Sequence, residues 1–515
     1  MRIVVLLSAF LGATALLTPA SVLAETFDAN PGDDIESMMG TLNPGDELVL
    51  RGGMYVTTER FSVNIAGTEE EPIVIRAAEG ERPHINRPNA SENLIDWSVE
   101  WVVIRGIEFS GGSAGLRFES GRDVTIEDCE IHDTADVALR MNDGGVRYER
   151  MTIRRNHIHD TNGTGEGMYL GCNSNGCQLA NSLIEGNWVH HTNNPETITQ
   201  GDGIEIKEGS FGNVIRDNVI HDTNYPCILT YSTAGNGAPN IIERNVMWNC
   251  GDHGIQSSAD SIIRNNIVLS AVNSGIAAQP HQSGAPANMT IVNNTIVNPG
   301  GDAISIRGAT GSVIVANNAV FAESGRAVFV NGDMSMVTRD SNFGIGDGSM
   351  SASLSDFVDG SFAGMPPMDL FLSEGGGLVG VGNSEYAPAD DFNGTVRSGA
   401  TDIGAYAFAA GGNPGWMLGE GFKGATSAPP AGDAGPGSDA GPSFDGGTDS
   451  DGGPGRDAGP PFDGGPMFDG GPGFDAGPST MDDEGCSCRA GTRSPRPGAA
   501  LTMLLVLGLV VRRRR

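Results

Sequence analysis

The most constraining feature of this chain is an internal repeat. The segments 124–131, 151–158, 183–189, 214–220 and 241–247 superpose without gaps, and 262–268, 290–296 and 314–320 continue the series. Each has apolar residues at alternate positions, then a turn with an Asn, then a second short apolar stretch. A Gly-rich connection leads to a third, such as Gly203-Ile-Glu-Ile206. The turn column reads Ile107, Cys129, Asn156, Asn187, Asn218, Asn245, Asn266, Asn294 and Asn318, at spacings of 21 to 31 residues. Constant strands with variable spacings mean loops of different lengths inserted into one repeated coil. Identical units in identical order stack as parallel coils, whereas a sandwich would need hairpin signals. Asn suits the turn because it tolerates the left-handed backbone region and its amide can bond the Asn one coil away, about 4.8 Å up the stack.

The fold class is therefore all-β, a right-handed parallel β-helix. The approach to the repeat, with Asn43-Pro-Gly-Asp46, Gly52-Gly-Met-Tyr55 and Glu71-Pro-Ile-Val-Ile-Arg76, resembles the opening of pectate-lyase-like β-helix proteins, and the resemblance covers roughly residues 27–330. At the far end Asp391-Phe-Asn-Gly394, Arg397 and Asp402-Ile-Gly-Ala-Tyr406 are similar to the closing segment of exported right-handed β-helix repeat proteins. That segment is expected to cap the open end, where unpaired strand groups invite aggregation.

The flanks predict export. Arg2, the apolar run 3–17 and Val22-Leu23-Ala24 form a secretory signal pattern. Residues 429–484 repeat Asp-Ala-Gly-Pro and Phe-Asp-Gly-Gly-Pro with almost no aliphatic side chains, so they cannot bury enough surface to offset their ordering entropy. Gly485-Cys486-Ser487-Cys488, the apolar run 499–511 and Arg512 to Arg515 resemble a myxobacterial-type C-terminal sorting tag. The resemblance implies processing near the motif, with Cys486 as the lipid-bearing or cleavage residue. The apolar run is short for a transmembrane helix, and a plain tail anchor is the alternative. The expected organisation is a signal peptide (1–24), the β-helix (25–330), its C-terminal end and cap (331–408), a disordered linker (409–485) and the tag (486–515). The product is expected to be a monomer at the cell surface or outer membrane, or released from it, with the sorting machinery and the membrane as partners of the tag.

With 64 acidic against 31 basic residues and a net charge of −33, no basic stripe exists to neutralise phosphates, and a nucleic-acid role is excluded. An anionic polysaccharide would need a local basic patch or a bridging Ca²⁺. Seven cysteines are too few for a disulfide scaffold of this size. Cys172 with Cys177, bracketing a Gly-rich loop, is the first candidate pair and Cys227 with Cys250 the second; Cys129 belongs to the core.

Aligning the strand after each Gly-rich connection puts Leu116, Leu139, Met168, Ile204, Ile228, Ile255, Ile276 and Ile304 in one inward column. Arg117, Arg140, Tyr169, Glu205, Leu229 and Gln256 then point outward, and Glu166, Asp202 and His253 stand just before their strands. Glu166, Asp202 and Glu205 are candidate Ca²⁺ ligands. Lys207, Tyr169, Arg140 and His253, with Tyr231 nearby, are candidate catalytic residues for β-elimination at a uronate: a cation held against the sugar carboxylate acidifies the C5 proton, which a Lys or Tyr removes. In alginate lyase and chondroitinase B type β-helices, two Glu lie two residues apart and a Lys follows five residues after the second. Here Glu205 matches the second Glu, while Gly203 and Ser210 hold the other places. The competing class is a non-catalytic glycan-binding or surface-structural protein, whose outward face would be closed or filled by loops. A glycoside hydrolase using Asp202 with Glu205 or Glu166 is the third reading. A second column, His132, His159, His190 and His221, is either an outward polar stack or a transition-metal site.

Overall fold

The repeat folds as a right-handed parallel β-helix in the computed structural model, which describes residues 24–298 and 300–424. The predicted signal, most of the linker and the tag with Cys486 lie outside the described residues. A typical coil contributes Val214–Arg216, Val219–Thr223 and Ile228–Thr230. Each strand pairs in parallel with its equivalent one coil on, as Ile204↔Ile228 and Ile228↔Ile255 illustrate. The middle strands of the coils form one 13-stranded sheet. The predicted inward column is wholly buried from Leu116 to Ile304. Among the described residues no helix is long and apolar enough to cross a membrane.

The Asn column forms a continuous buried ladder. In each rung the backbone N–H and the side-chain Nδ2 both donate to the Oδ1 of the next Asn, at 2.9–3.0 Å from Asn187 to Asn218 and 2.9–3.0 Å from Asn218 to Asn245. The ladder runs one rung beyond the repeat count, to Asn342. The left-handed residue of the turn is the one before each ladder Asn: Arg155, Gly186, Asp217, Arg244, Asn265, Asn293, Asn317 and Ser341 have φ between 46° and 63°. This corrects the expectation for the Asn itself. The kink falls one residue early, and that bend turns the following amide inward, where only another amide can satisfy it.

Cys172–Cys177 and Cys227–Cys250 are disulfides and Cys129 is a buried free thiol. The closing segment departs from the end-cap expectation. It runs back along the side of the helix, where Phe357, Leu370, Phe371, Phe392 and Tyr406 cover an apolar outer patch of Val246, Trp248, Leu269 and Phe321. A sheet face that is apolar on both sides must be covered on both. Asn317 bonds Asn383 O, Asn293 bonds Asp402 O, and Arg244 pairs with Asp390 at 2.9 Å.

The chain also stays on the helix past residue 408, where the linker was expected to begin. Lys423 is buried, and its Nζ donates to Asp217 Oδ1 (2.8 Å), Arg244 O (2.9 Å) and Phe392 O (2.6 Å). Burial pulls its ammonium down to about 8 against the pull of Asp217. Lys423→Ala leaves the Arg244 and Phe392 carbonyls unpaired, while Asp217 keeps the Arg244 guanidinium at 2.9 Å, and should cost about 2–4 kcal/mol of local stability. Amide exchange should accelerate across 409–424 and stay slow in the Asn ladder; equally slow exchange in both would contradict the docking role.

Candidate functional site

The outward residues of the middle coils do not face an open groove. Glu205 and Lys207 flank Ile206, the last residue of the strand Ile204–Ile206, so both side chains leave the same face. Yet Glu205 is 1% and Lys207 4% exposed. The cover is the loop after the strand Ile276–Ala278. His281 and Gly284 close a tight turn, and a Cβ on Gly284 would stand 2.7 Å from the Ser232 Cβ and the Ser258 Oγ, so the loop rests directly on the coils beneath. Gln282 reaches four coils back to Asn173 Oδ1 (2.6 Å) and the Ser174 N–H (3.0 Å), inside the loop closed by Cys172–Cys177. Ser283 donates its N–H (3.2 Å) and its hydroxyl to Glu208 Oε1.

Beneath this roof lies a polar cluster. Lys207 Nζ donates to Glu205 Oε1 (2.7 Å) and stands 3.4 Å from the Tyr231 hydroxyl, which donates to the same Glu205 oxygen (3.1 Å). His281 Nε2 is 3.0 Å from the Tyr231 hydroxyl, and its ring stacks on Tyr231 at 4.6 Å. The ammonium sits over the rings of Tyr169 (4.5 Å) and Tyr231 (4.8 Å). Burial alone would lower the Lys207 pKa, but the charge of Glu205 outweighs it and the net shift is upward. Burial and the neighbouring Lys207 both push His281 down, so its ring is neutral.

On the other side of Glu205 stand Glu166 and Asp202. Each precedes a glycine whose missing side chain lets the strands pack: a Cβ on Gly167 or Gly203 would meet a carbonyl oxygen of the next coil at 2.7 or 2.5 Å. The three carboxylates are buried and bring one oxygen each to within 4.8 Å of one another. Both oxygens of Glu166, Asp202 Oδ1 and Glu205 Oε2 have no hydrogen-bond partner. The Thr164 hydroxyl beside them is spent on Asp136 (2.6 Å). Burial, and then the charge of Glu205, push the Glu166 and Asp202 carboxyls well above the carboxylate range. Buried carboxylate oxygens without donors are what a cation site offers before its ion is counted. An all-oxygen, multiply anionic set suits a hard ion such as Ca²⁺.

The structure thus gathers Glu166, Asp202, Glu205, Lys207, Tyr169 and Tyr231, and leaves two predicted residues apart. Arg140 neighbours Tyr169 in register but is ion-paired with Asp136. His253 stands two coils beyond Asp202 with Pro226 between; its Nδ1 accepts from the Ser274 N–H (3.0 Å) and its Nε2 faces Asp252 (3.5 Å). Column position gave each its direction but not its partner. Sequence reasoning missed His281 and Glu208, because nothing in a repeat announces that an inserted loop will fold back over earlier coils.

Residues 19–258 match a family described as Pel9A-like, right handed beta helix region. Among solved structures, pectate lyase Pel9A is 15% identical, with 74% of this chain and 96% of that chain covered at a TM-score of 0.45. The alginate lyase from Paenibacillus sp. str. FPU-7 is 19% identical, with 61% and 99% covered at 0.42. XylC in complex with xylose is 10% identical, with 75% and 98% covered at 0.48. No curated protein matches. What the site can do follows from its own residues.

Proposed function

We propose that this chain is an exported, surface-held lyase of acidic polysaccharides, with Glu166, Asp202 and Glu205 as ligands of Ca²⁺ and Lys207, Tyr169, Tyr231 and His281 as the groups that hold the uronate and move its proton. The observation that carries this reading is the set of four buried, unpartnered carboxylate oxygens next to an ammonium and a hydrogen-bonded phenol. A bound divalent cation would supply the charge that draws in the uronate carboxylate and acidifies its C5 proton. Lys207, kept as an ammonium, stabilises developing negative charge and is a poor base. Tyr231 is the better one: its hydroxyl turns from Glu205 to His281 Nε2 and passes its proton there, the phenolate takes the C5 proton, and His281 returns its proton to the leaving oxygen as the C4–O bond breaks and the C4=C5 bond forms. Substrate reaches these groups only when the 280–284 loop lifts.

A specific observation favours the competing reading of a non-catalytic, glycan-binding or structural rod: the cluster is covered. Hydrolysis is less well supported. The carboxylate oxygens lie within 4.8 Å of one another, short of the roughly 5–9.5 Å that separates a glycosidase pair, and no open cleft places an acid and a base on opposite sides of a glycosidic oxygen.

The test follows ultraviolet absorbance of the unsaturated product with alginate, pectate and glycosaminoglycans, with calcium or chelator. It uses the wild type and a variant with a loosened roof, Gln282→Ala with Ser283→Ala. Activity on one polymer, lost in chelator and in Asp202→Asn, is expected, with a faster rate in the roof variant. No product from either protein would leave the structural reading.

A further inference from the structure

A second cluster of metal-ligating side chains lies on the outer face of the 13-stranded sheet, and the proposed function does not use it. His84 pairs in register with Glu108, and His132 with Ser110, on three successive coils. Glu108 Oε1 is 3.2 Å from His132 Nε2 and 3.3 Å from His84 Nδ1. We propose that His84, Glu108 and His132 form a site for a divalent transition metal of the zinc type.

The spacing fits such an ion. Bonds of about 2.0–2.1 Å from a tetrahedral zinc place neighbouring N and O ligand atoms roughly 3.3 Å apart, which is the separation found. Each imidazole is held from behind. His132 Nδ1 faces Asp133 Oδ2 at 2.8 Å and His84 Nε2 faces the Ser110 hydroxyl at 2.6 Å, the outer partners that orient metal-binding histidines.

A second observation points the same way. A carboxylate oxygen only accepts, so the Asp133 contact fixes the proton of a neutral His132 on Nδ1 and leaves a lone pair on Nε2. That lone pair is aimed at Glu108 Oε1, another acceptor, and something positive belongs between them. The arrangement recurs one coil on: His159 Nε2 and His157 Nδ1 lie 3.0 and 3.4 Å from Glu130 Oε1, and His159 Nδ1 lies 2.7 Å from Asp160. All three ligand side chains keep some exposure, 18% for His84, 17% for Glu108 and 14% for His132, and Glu108 also lines a cavity of about 600 Å³. Two nitrogens and one oxygen select zinc, cobalt, nickel or copper over calcium.

One neighbour opposes the metal. Arg82 Nε donates to Glu108 Oε2 at 2.6 Å, and the same guanidinium contacts Glu130. It competes for the carboxylate, and its side chain, 63% exposed, is free to swing away.

The test titrates cobalt(II), a spectroscopic stand-in for zinc, into the full chain, carrying no polyhistidine extension and stripped with chelator. In a Glu130→Gln background, which removes the second cluster, the expected result is one equivalent giving the intense visible bands of a tetrahedral ion, displaced by zinc and not by calcium. Glu108→Gln and His132→Gln should abolish the bands, while Glu166→Gln at the other cluster leaves them. Asp133→Asn should weaken binding about tenfold, and Arg82→Ala should tighten it several-fold, which a merely structural role for these residues would not produce. Circular dichroism establishes that each variant is folded. Weak octahedral bands only, a titration unchanged in folded Glu108→Gln, or weaker binding in Arg82→Ala would each overturn the proposal, leaving a proton shared between His132 and Glu108.

Discussion

Replacing Asn218 with alanine is expected to destabilise the helix by about 3–5 kcal/mol, a larger loss than most single substitutions produce. The residue is fully buried in mid-ladder. Its Oδ1 accepts from the Asn187 N–H (2.9 Å) and Nδ2 (3.0 Å), and its Nδ2 donates to Asn245 Oδ1 (2.9 Å) and Ile184 O (3.0 Å). Alanine leaves two donors on Asn187 and the carbonyl of Ile184 without partners, in a place water cannot enter. Each such group costs about 1–3 kcal/mol. Asn342, at the last rung, has no Asn beyond it to pair with, so alanine there should cost less. Denaturant midpoints of the two variants, compared with wild type at constant slope, check both the size and the order. A loss below about 1 kcal/mol at Asn218 would mean that the ladder is ornamental and the aliphatic columns carry the stack.

How much of this was legible in the sequence follows from what a repeat encodes. The period fixes which residues are equivalent, so the inward column from Leu116 to Ile304, the Asn ladder and the convergence of Glu166, Asp202 and Glu205 could be read by alignment alone, since stacking puts equivalents one coil apart. A repeat does not encode the insertions. The roof contacts of Gln282 with Asn173 and of Ser283 with Glu208 join residues far apart in sequence, and no periodicity links them. Exposure was misjudged for the same reason: outward on a strand is not outward to solvent once a loop lies on top. His84 escaped notice because the histidine column was read straight up the stack, whereas its contact with Glu108 and His132 runs between adjacent columns. The charge state of Lys207 was equally hidden, since it depends on how closely Glu205 approaches.

The second large effect concerns pH. In protein stripped of metal, Glu166 is protonated far more readily when folded, with a pKa of about 7, than in the unfolded chain, where the ordinary value is near 4.5. The folded state therefore binds the proton more tightly. Its contribution to stability is full below the ordinary carboxylate range, is lost as pH rises toward about 7, and stays lost above it. Glu166 and Asp202, both pushed up by burial and by Glu205, titrate as a pair and share that loss, which is on the order of a few kcal/mol. His157 and His190, held neutral by burial, push stability the other way below about 6.5, so the carboxylate effect is read as the gain in melting temperature on adding calcium, which should grow as pH is raised from about 5 to 8. Calcium does this by supplying the positive charge that protons otherwise provide. Asp202→Asn separates this from a general effect of pH: without metal at the upper end it should melt higher than wild type, because one of three mutually repelling buried charges is gone, and it should respond weakly to calcium. A flat, calcium-insensitive profile in wild type would mean that the three carboxylates find partners in solution. The cation site, and with it the chemistry assigned to the middle coils, would then fail together.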